Sequence, residues 1–337
     1  MEPVNIKKLA QLLNLSIATV SKALRDSYDI SKETKEKVVA LANELNYQPN
    51  PHASSLRKHK SKTIAVIIPE IANNYFTLAI NGIESVAQEK GYHVLIYLTH
   101  EDYKREVAFA RELFNGRVDG ALISVAGTTT DYTHFKNLRD KGLPIVFFDR
   151  VCDEIDTLKV TTDDFESSYL ATKHLIGQGC KKITHFAISS KLSIGNKRKR
   201  GYLQAMADHH LPVSDSLIVE CINDDDRDIE MIEELFRREK PDGIFAAVER
   251  YAMDGYEVCS RLNLRIPQDV KVLSFSNLRI ASFLNPSLTT ITQPAFDIGK
   301  EAAARLLNNL EKKHAPLANE SIVFKSSLIQ RASTSSI

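Results

Sequence analysis

The residues able to move protons, hold metals or meet charged ligands are plentiful here but scattered. In 337 residues the chain carries 43 Asp and Glu, 44 Lys and Arg, and ten His. None of the spacings that organise catalysis is present: there is no Gly-x-Ser-x-Gly elbow, no His-Glu-x-x-His pair, no Walker-type phosphate loop and no Gly-x-Gly-x-x-Gly turn. Cys152, Cys180, Cys221 and Cys259 form no Cys-x-x-Cys pair, so neither a zinc site nor a disulfide framework is expected. His209 and His210 read as a helix end before Leu211-Pro212, and Asp224 to Asp226 as complements to a helix start. By itself, the run Lys197 to Arg200 reads as a solvated basic turn. No enzyme activity, metal or cofactor is expected.

The basic residues are unevenly placed. Residues 1–60 hold ten Lys and Arg against six Asp and Glu, whereas the remainder is slightly acidic and the whole chain sums to +1. Phosphate attraction is local and screened beyond roughly 10 Å at ordinary salt, so a small basic head on a neutral body suits a nucleic-acid reader. The opening residues lack the continuous apolar stretch of a signal peptide, and no apolar run reaches membrane-spanning length. A reducing cytoplasmic location is therefore expected. The length predicts two or three folding units.

Elements that could position a DNA-reading surface are legible in the head. Ile6, Leu9, Ala10 and Leu13 follow helical spacing behind Asn5 as a cap, and Asn14 suits the left-handed turn into a second helix. Ser16 caps that helix, whose Val20 and Leu24 point inward and whose Ile17, Ala18, Ser21 and Lys22 stay outward. Ser31 opens a third helix with Val38, Leu41, Ala42 and Leu45 on its inner face. This spacing predicts a helix-turn-helix, though it also fits any small helical bundle. Gln48-Pro49-Asn50-Pro51 ends the third helix and starts a short one, His52 to His59, too short to persist alone in water. Its Leu56 beside Arg57 and Lys58 suits a leucine wedge in a minor groove; the plainer reading is a linker.

Read together, ATVSKAL on the second helix, YQPN, the ASSLR segment and the TIAVIIP run opening the body resemble the lactose-repressor/galactose-repressor family of transcription regulators, in register through most of the chain. The resemblance implies base-edge contacts from Ile17, Ala18 and Lys22, phosphate contacts near Ser16, Thr19, Ser21 and Asn50, and minor-groove entry by Ala53 and Leu56. Of these side chains, Lys22 can donate to guanine O6 and N7, whereas Ile17 and Ala18 offer apolar contact such as a thymine methyl.

Beyond the head, TIAVII, YHVLIYL, GALISV and PIVFF, then KITHFAI, LIVECI, GIFAAV and VKVLSF, alternate with helical stretches. This is the signature of parallel βα units in two series. The fold class expected is α/β: a three-helix helix-turn-helix domain (1–48), a hinge helix or linker (49–60), and a body of two doubly wound lobes (61–337). The resemblance implies a body of the periplasmic-binding-protein-like type. It puts the first lobe at about 61–160 plus 292–322 and the second at about 161–291 plus 323–337, with a cleft between them and the helix from about 74 to 90 in a homodimer interface.

By position, the resemblance implies an effector pocket from Asn73, Tyr75, Phe76, Asp149, Arg150, Arg198, Val248 and Ser276, with Arg198 a partner for an anion or a sugar oxygen. Two departures bear on the ligand. Where sugar-responsive members carry Ala-Ala-Asn-Asp, this chain has Ala246-Ala247-Val248-Glu249; where they carry Gly-Phe-Asp-Asp, it has Ser274-Phe275-Ser276-Asn277. Val248 cannot bond a hydroxyl and Ser276 lacks a carboxylate. The expected partners are therefore double-stranded operator DNA, a second copy of the chain, and either a small effector other than a neutral sugar or a phosphorylated carrier protein. The expected activity is that of a transcription regulator, more often a repressor in this family. The alternatives are a cytoplasmic solute-binding protein and an effector-independent DNA binder.

Overall fold

The computed structural model describes residues 5–47, 61–312 and 317–335. The expected hinge helix, with Asn50, Ala53 and Leu56, lies outside the described residues.

The head contains α1 (Ile6–Leu12), α2 (Ile17–Ala23) and α3 (Lys32–Glu44), each opened by a polar cap: Asn5 accepts from the Lys8 amide, Ser16 from Thr19 and Ser31 from Thr34. These bonds satisfy amides that the first turn of a helix leaves without partners. Asn14 takes φ 52°, the left-handed conformation that allows α2 to follow α1 after so short a turn. Leu9, Ala10, Val20, Ala23, Val38 and Ala42 form the buried core, with Ile6, Leu13, Leu24, Leu41 and Leu45 packed around it. Leu24, at the C-cap of the seven-residue α2, packs inward on this core as its spacing predicts, beside the buried Ala23.

The body, residues 62–335, is a separate compact unit. Its first series contains β1 (Thr63–Ile68), α4 (Asn74–Glu89), β2 (His93–Leu98), α5 (Tyr103–Leu113), β3 (Gly120–Ile123), α6 (Thr133–Asp140), β4 (Ile145–Phe148) and β5 (Lys159–Thr162). The second contains α7 (Asp164–Gly177), β6 (Ile183–Ala187), α8 (Ser193–Asp208), β7 (Ile218–Glu220), α9 (Asp225–Glu239), β8 (Gly243–Ala246), α10 (Glu249–Arg261), β9 (Lys271–Phe275) and β10 (Thr289–Thr292). The chain then crosses back as α11 (Ala295–Glu311) and β11 (Ser321–Phe324), and crosses again into β12 (Ser327–Ile329).

Two six-stranded sheets result, ordered β11-β5-β4-β3-β1-β2 and β12-β10-β9-β8-β6-β7. Every pairing is parallel except β10 with β12. Parallel strands covered on both faces need continuous apolar runs, and Ile64 to Ile68 are all fully buried. At the open edge, β2 leaves Leu95 and Ile96 about 40% exposed. Helix α11 seals the first lobe against α4, where two glycines allow backbone contact. A Cβ on Gly82 would lie 2.0 Å from the Phe296 carbonyl oxygen, and one on Gly299 would lie 2.0 Å from that of Ala79.

In both sheets the strand order reverses beside the first strand of its series: between β1 and β3 in the first lobe, between β6 and β8 in the second. Crevices beyond the carboxyl ends of strands at such reversals are where open α/β sheets hold ligands. Here both reversals open on one cleft.

Candidate DNA-reading face and inter-lobe cleft

On α2 the side chains left outside the core are those expected to read DNA. Ile17 is 46% exposed, Ala18 and Lys22 are exposed, and Ser21 and Thr19 are half-buried. The Ser16 hydroxyl is occupied locally, 2.8 Å from the Thr19 hydroxyl and accepting the Thr19 amide at 3.0 Å. Arg25 donates to the Ser21 carbonyl at 2.9 Å. The Lys22 ammonium is ion-paired with Asp29, a residue in the turn after α2 that the sequence patterns did not mark.

In the body, all eight expected pocket residues converge. Asn73 caps α4 beyond β1, accepting the Tyr75 amide at 2.9 Å, and Tyr75 meets Phe76 edge to face at 5.4 Å. Asp149 and Arg150 follow β4, with Asp149 held at φ 60°. Arg198 comes from α8, Val248 precedes α10, and Ser276 follows β9. Together with Glu249, Phe275, Asn277 and Gln293 they line an inner pocket of about 30 Å³. That is room for little more than a water molecule.

The electrostatics of this pocket differ from those of a free cationic site. Arg198, 2% exposed, belongs to a helix and not to a solvated turn. Its guanidinium bonds Asp164 at 2.7 and 2.8 Å, donates to the Ala247 carbonyl at 2.6 Å and stacks 3.8 Å from the Phe275 ring centroid. Its charge is therefore already matched within the protein. Arg150 is likewise held by Glu101, at 2.8 and 2.9 Å. Burial pushes the Asp149 carboxyl up to about 6, against the pull of Arg150 and Arg198. It pushes Asp164 up too, against Arg198.

The two departures from the family pattern meet at Glu249. One carboxylate oxygen accepts the Asn74 side-chain amide from the first lobe at 2.9 Å. The other accepts the Ser276 hydroxyl at 2.9 Å and the Asn277 amide at 3.1 Å from the second. The side chain of Glu249 thus engages the Ser276 hydroxyl and the Asn277 amide at the inner pocket. Arg250 with Glu70 at 3.6 Å, and the Val151 amide on the Ser193 hydroxyl at 3.3 Å, also join the lobes.

Outside this closure lies a chamber of about 550 Å³, within the range of small-molecule sites. Its walls are the two strand-order reversals: Glu70, Asn73, Thr128 and Arg150 from the first lobe, and Ser189, Lys191, Glu220, Asn223 and Arg250 from the second. Two chamber residues that are not glycine, Glu101 (φ 60°) and Asn223 (φ 64°), adopt left-handed backbone, as does Asp149 (φ 60°) at the inner pocket. Such strain, of order 1–3 kcal/mol at each, gathers where a side chain must be aimed. Glu101 and Asn223 were not visible in the sequence patterns, because their roles depend on contacts with Arg150 and with the Tyr251 hydroxyl, 2.8 Å from Asn223 Oδ1.

Among the described residues, no group of His, Cys, Asp and Glu side chains could hold a metal ion, and no helix is long and apolar enough to cross a membrane.

Comparison with known proteins agrees with this architecture. Residues 5–50 match the family described as bacterial regulatory proteins, lacI family. Residues 61–331 match periplasmic binding proteins and sugar binding domain of LacI family. The ribose operon repressor of Haemophilus influenzae is 30% identical over 91% of this chain and 92% of its own. Catabolite control protein A of Priestia megaterium is 29% identical over 92% and 93%. Among solved structures, the Lac repressor dimer bound to operator and the anti-inducer ONPF superposes with a TM-score of 0.85 at 22% identity, covering 99% of both chains. A putative ribose operon repressor from Burkholderia thailandensis gives 0.72 at 27% identity, covering 80% of this chain and 99% of its own. The curated relatives are regulators and not enzymes. With a basic helix-turn-helix head ahead of two doubly wound lobes, the chain belongs to the LacI family and is a DNA-binding transcriptional regulator.

Proposed function

We infer that the protein acts in the cytoplasm as a homodimeric repressor on a two-fold symmetric operator, and that its inter-lobe cleft takes the controlling signal. Residues 1–48 form the DNA-binding domain, 49–60 the hinge, and 61–337 the sensor. Ile17, Ala18 and Lys22 contact base edges; Ser16, Thr19, Ser21 and Asn50 lie near phosphates; Ala53 and Leu56 enter the minor groove. The observation carrying this reading is the outward face of α2, which leaves an isoleucine, an alanine and a lysine unused by the core. The face of α4 not taken by α11, with Thr77, Asn81, Glu84 and Gln88 exposed, joins the second copy. Symmetric half-sites match such a dimer.

A small effector enters the 550 Å³ chamber and changes how the lobes meet, using Asn73, Arg150 and Val248 on its walls. Tyr75, Phe76, Asp149, Arg198 and Ser276 form the floor behind it. Because Arg198 is neutralised by Asp164, ligand charge is not what selects at the floor. A second reading, DNA binding without any effector, is favoured by Glu249, whose own carboxylate joins the lobes. A phosphorylated carrier protein is a further candidate signal.

The test is selection of tight-binding duplexes from a random pool by the full-length protein, beside a variant carrying Ile17→Ser and Lys22→Ala. Enrichment of a palindrome by the first and its loss in the second is expected. Equal enrichment by both would overturn α2 as the reader.

A further inference from the structure

Within the head, the only charged side chain on α2 is Lys22. Helical spacing puts it above Ala18 on one stripe, opposite Val20 and Ala23 in the core. Its ammonium does not stand free. Asp29, six residues past the end of α2, reaches back to it, and both side chains keep solvent access, at 47% and 35%. The bond from Lys22 holds the Asp29 carboxyl below the ordinary carboxylate range, with help from Ser27. The neighbouring cations are engaged as well: Lys35 pairs with Asp26 at 2.8 Å and Arg25 bonds the Ser21 carbonyl. An anion therefore sits on the surface that must approach polyphosphate.

We propose that Asp29 is a specificity-determining residue, acting with Lys22 as a paired reader of one G·C base pair. This rests on the reading of α2 as the DNA-reading helix. An exposed ion pair stabilises a fold little, from 0 to about 1 kcal/mol, and so opens readily for better partners. On arbitrary DNA the Lys22 charge is cancelled before it meets a phosphate, so it releases no counterion, and Asp29 adds repulsion. At a G·C pair the two groups separate onto complementary partners. The ammonium donates to guanine O6 and N7, and the carboxylate accepts from the N4 amine of cytosine. A G·C pair sets two adjacent acceptors on the purine for the ammonium and the donor on the pyrimidine for the carboxylate, whereas an A·T pair places its one donor, adenine N6, between the acceptors N7 and thymine O4 and so breaks that order.

The experiment compares four full-length proteins: wild type, Asp29→Asn, Lys22→Ala and the double variant. Each is titrated by fluorescence anisotropy against the palindrome that the wild type selects and against a scrambled duplex of equal length, over a series of salt concentrations. Asp29→Asn is expected to tighten binding to the scrambled duplex several-fold, to steepen its salt slope by about 0.9, as one added phosphate contact requires, and to lower the ratio of specific to non-specific affinity by about tenfold. In the Lys22→Ala background, Asp29→Asn is expected to lower that ratio by less than it does in the wild type. Equal changes on both duplexes, or an undiminished loss of the ratio without Lys22, would overturn the pairing of Asp29 with Lys22. If Lys22→Ala leaves base preference untouched, the reading of Lys22 as a base contact fails, and this proposal falls with it; altered preference in Lys22→Ala with equal shifts in Asp29→Asn refutes Asp29 alone.

Discussion

The Glu249 carboxylate accepts the Asn74 side-chain amide at 2.9 Å, a bond from the start of α10 to the start of α4 that spans the cleft. The same carboxylate is anchored on its own lobe by Ser276 and Asn277, so Glu249 fixes one lobe to the other. Hydrogen bonds to a charged group contribute about 1.5–3 kcal/mol. Glu249→Ala is expected to lower stability by about that amount and to open the cleft, seen as a larger radius of gyration in X-ray scattering. An unchanged scattering profile would show that the lobes are held elsewhere.

The head has few buried side chains over which to spread a loss. Leu9 is fully buried at its centre with Val20 and Val38, and Leu→Ala in a core costs about 2–5 kcal/mol. Leu9→Ala is expected to unfold the head and abolish operator binding while the calorimetric transition of the body stays in place. Retained DNA affinity would contradict this account of the head core.

Two buried groups give stability an opposed pH dependence. Asp149 holds its proton up to about 6 in the folded chain, against 3.8 ordinarily. Its contribution is therefore full below 3.8 and lost as pH rises through 6. His185, stacked between Tyr202 and Phe245 with Nδ1 3.0 Å from the Phe245 carbonyl, is driven down to about 4 from 6.5 by burial. Its contribution is full above 6.5 and lost as pH falls through 4. Asp149→Asn should thus leave a rise in stability with pH between 4 and 6.5, at most about 1.4 kcal/mol per pH unit. Denaturant titrations across that interval measure it; a slope identical to that of the wild type would rule out the shifted carboxyl.

How much of this was readable beforehand depended on how local the cause was. Asn5, Ser16 and Ser31 bond amides three residues away, and Asn14 turns on its own backbone, so the head followed from spacing. Strands such as Ile64 to Ile68 announce themselves because both faces are buried. The four-residue strands β5 (Lys-Val-Thr-Thr) and β10 (Thr-Thr-Ile-Thr) carry no such run; they are strands because neighbours far along the chain pair with them. Similarly, family position brought eight pocket residues together, yet nothing local indicated that Asp164 neutralises Arg198 from 34 residues away, or that Glu249 would reach Asn74.

All four cysteines are buried as free thiols. Burial raises each thiol, to about 11 for Cys152 and about 12 for Cys180 and Cys259, and raises Cys221 as well. A thiol-selective alkylating reagent at pH 8 is expected to leave the folded protein unlabelled and to label four sites after denaturation. Fast labelling of the native chain at any of them would show that its surroundings open locally.

The backbone contact of α4 with α11 also sets an order of assembly. The first-lobe core includes Ile298, Ala302, Leu306 and Leu310 beside Ile64, Phe76 and Ile83, and β11 completes its sheet only at Phe324. As the chain leaves the ribosome, the lobe that is made first must wait for nearly the last residues made, whereas β6 to β10 of the second lobe are complete by Thr292. Since domains generally form as units during synthesis, the half-finished first lobe exposes its apolar α4 face for most of translation. Truncation near residue 300 would take from the earlier-made lobe the rest of its α11 seal and its strand β11, and from the later one its edge strand β12.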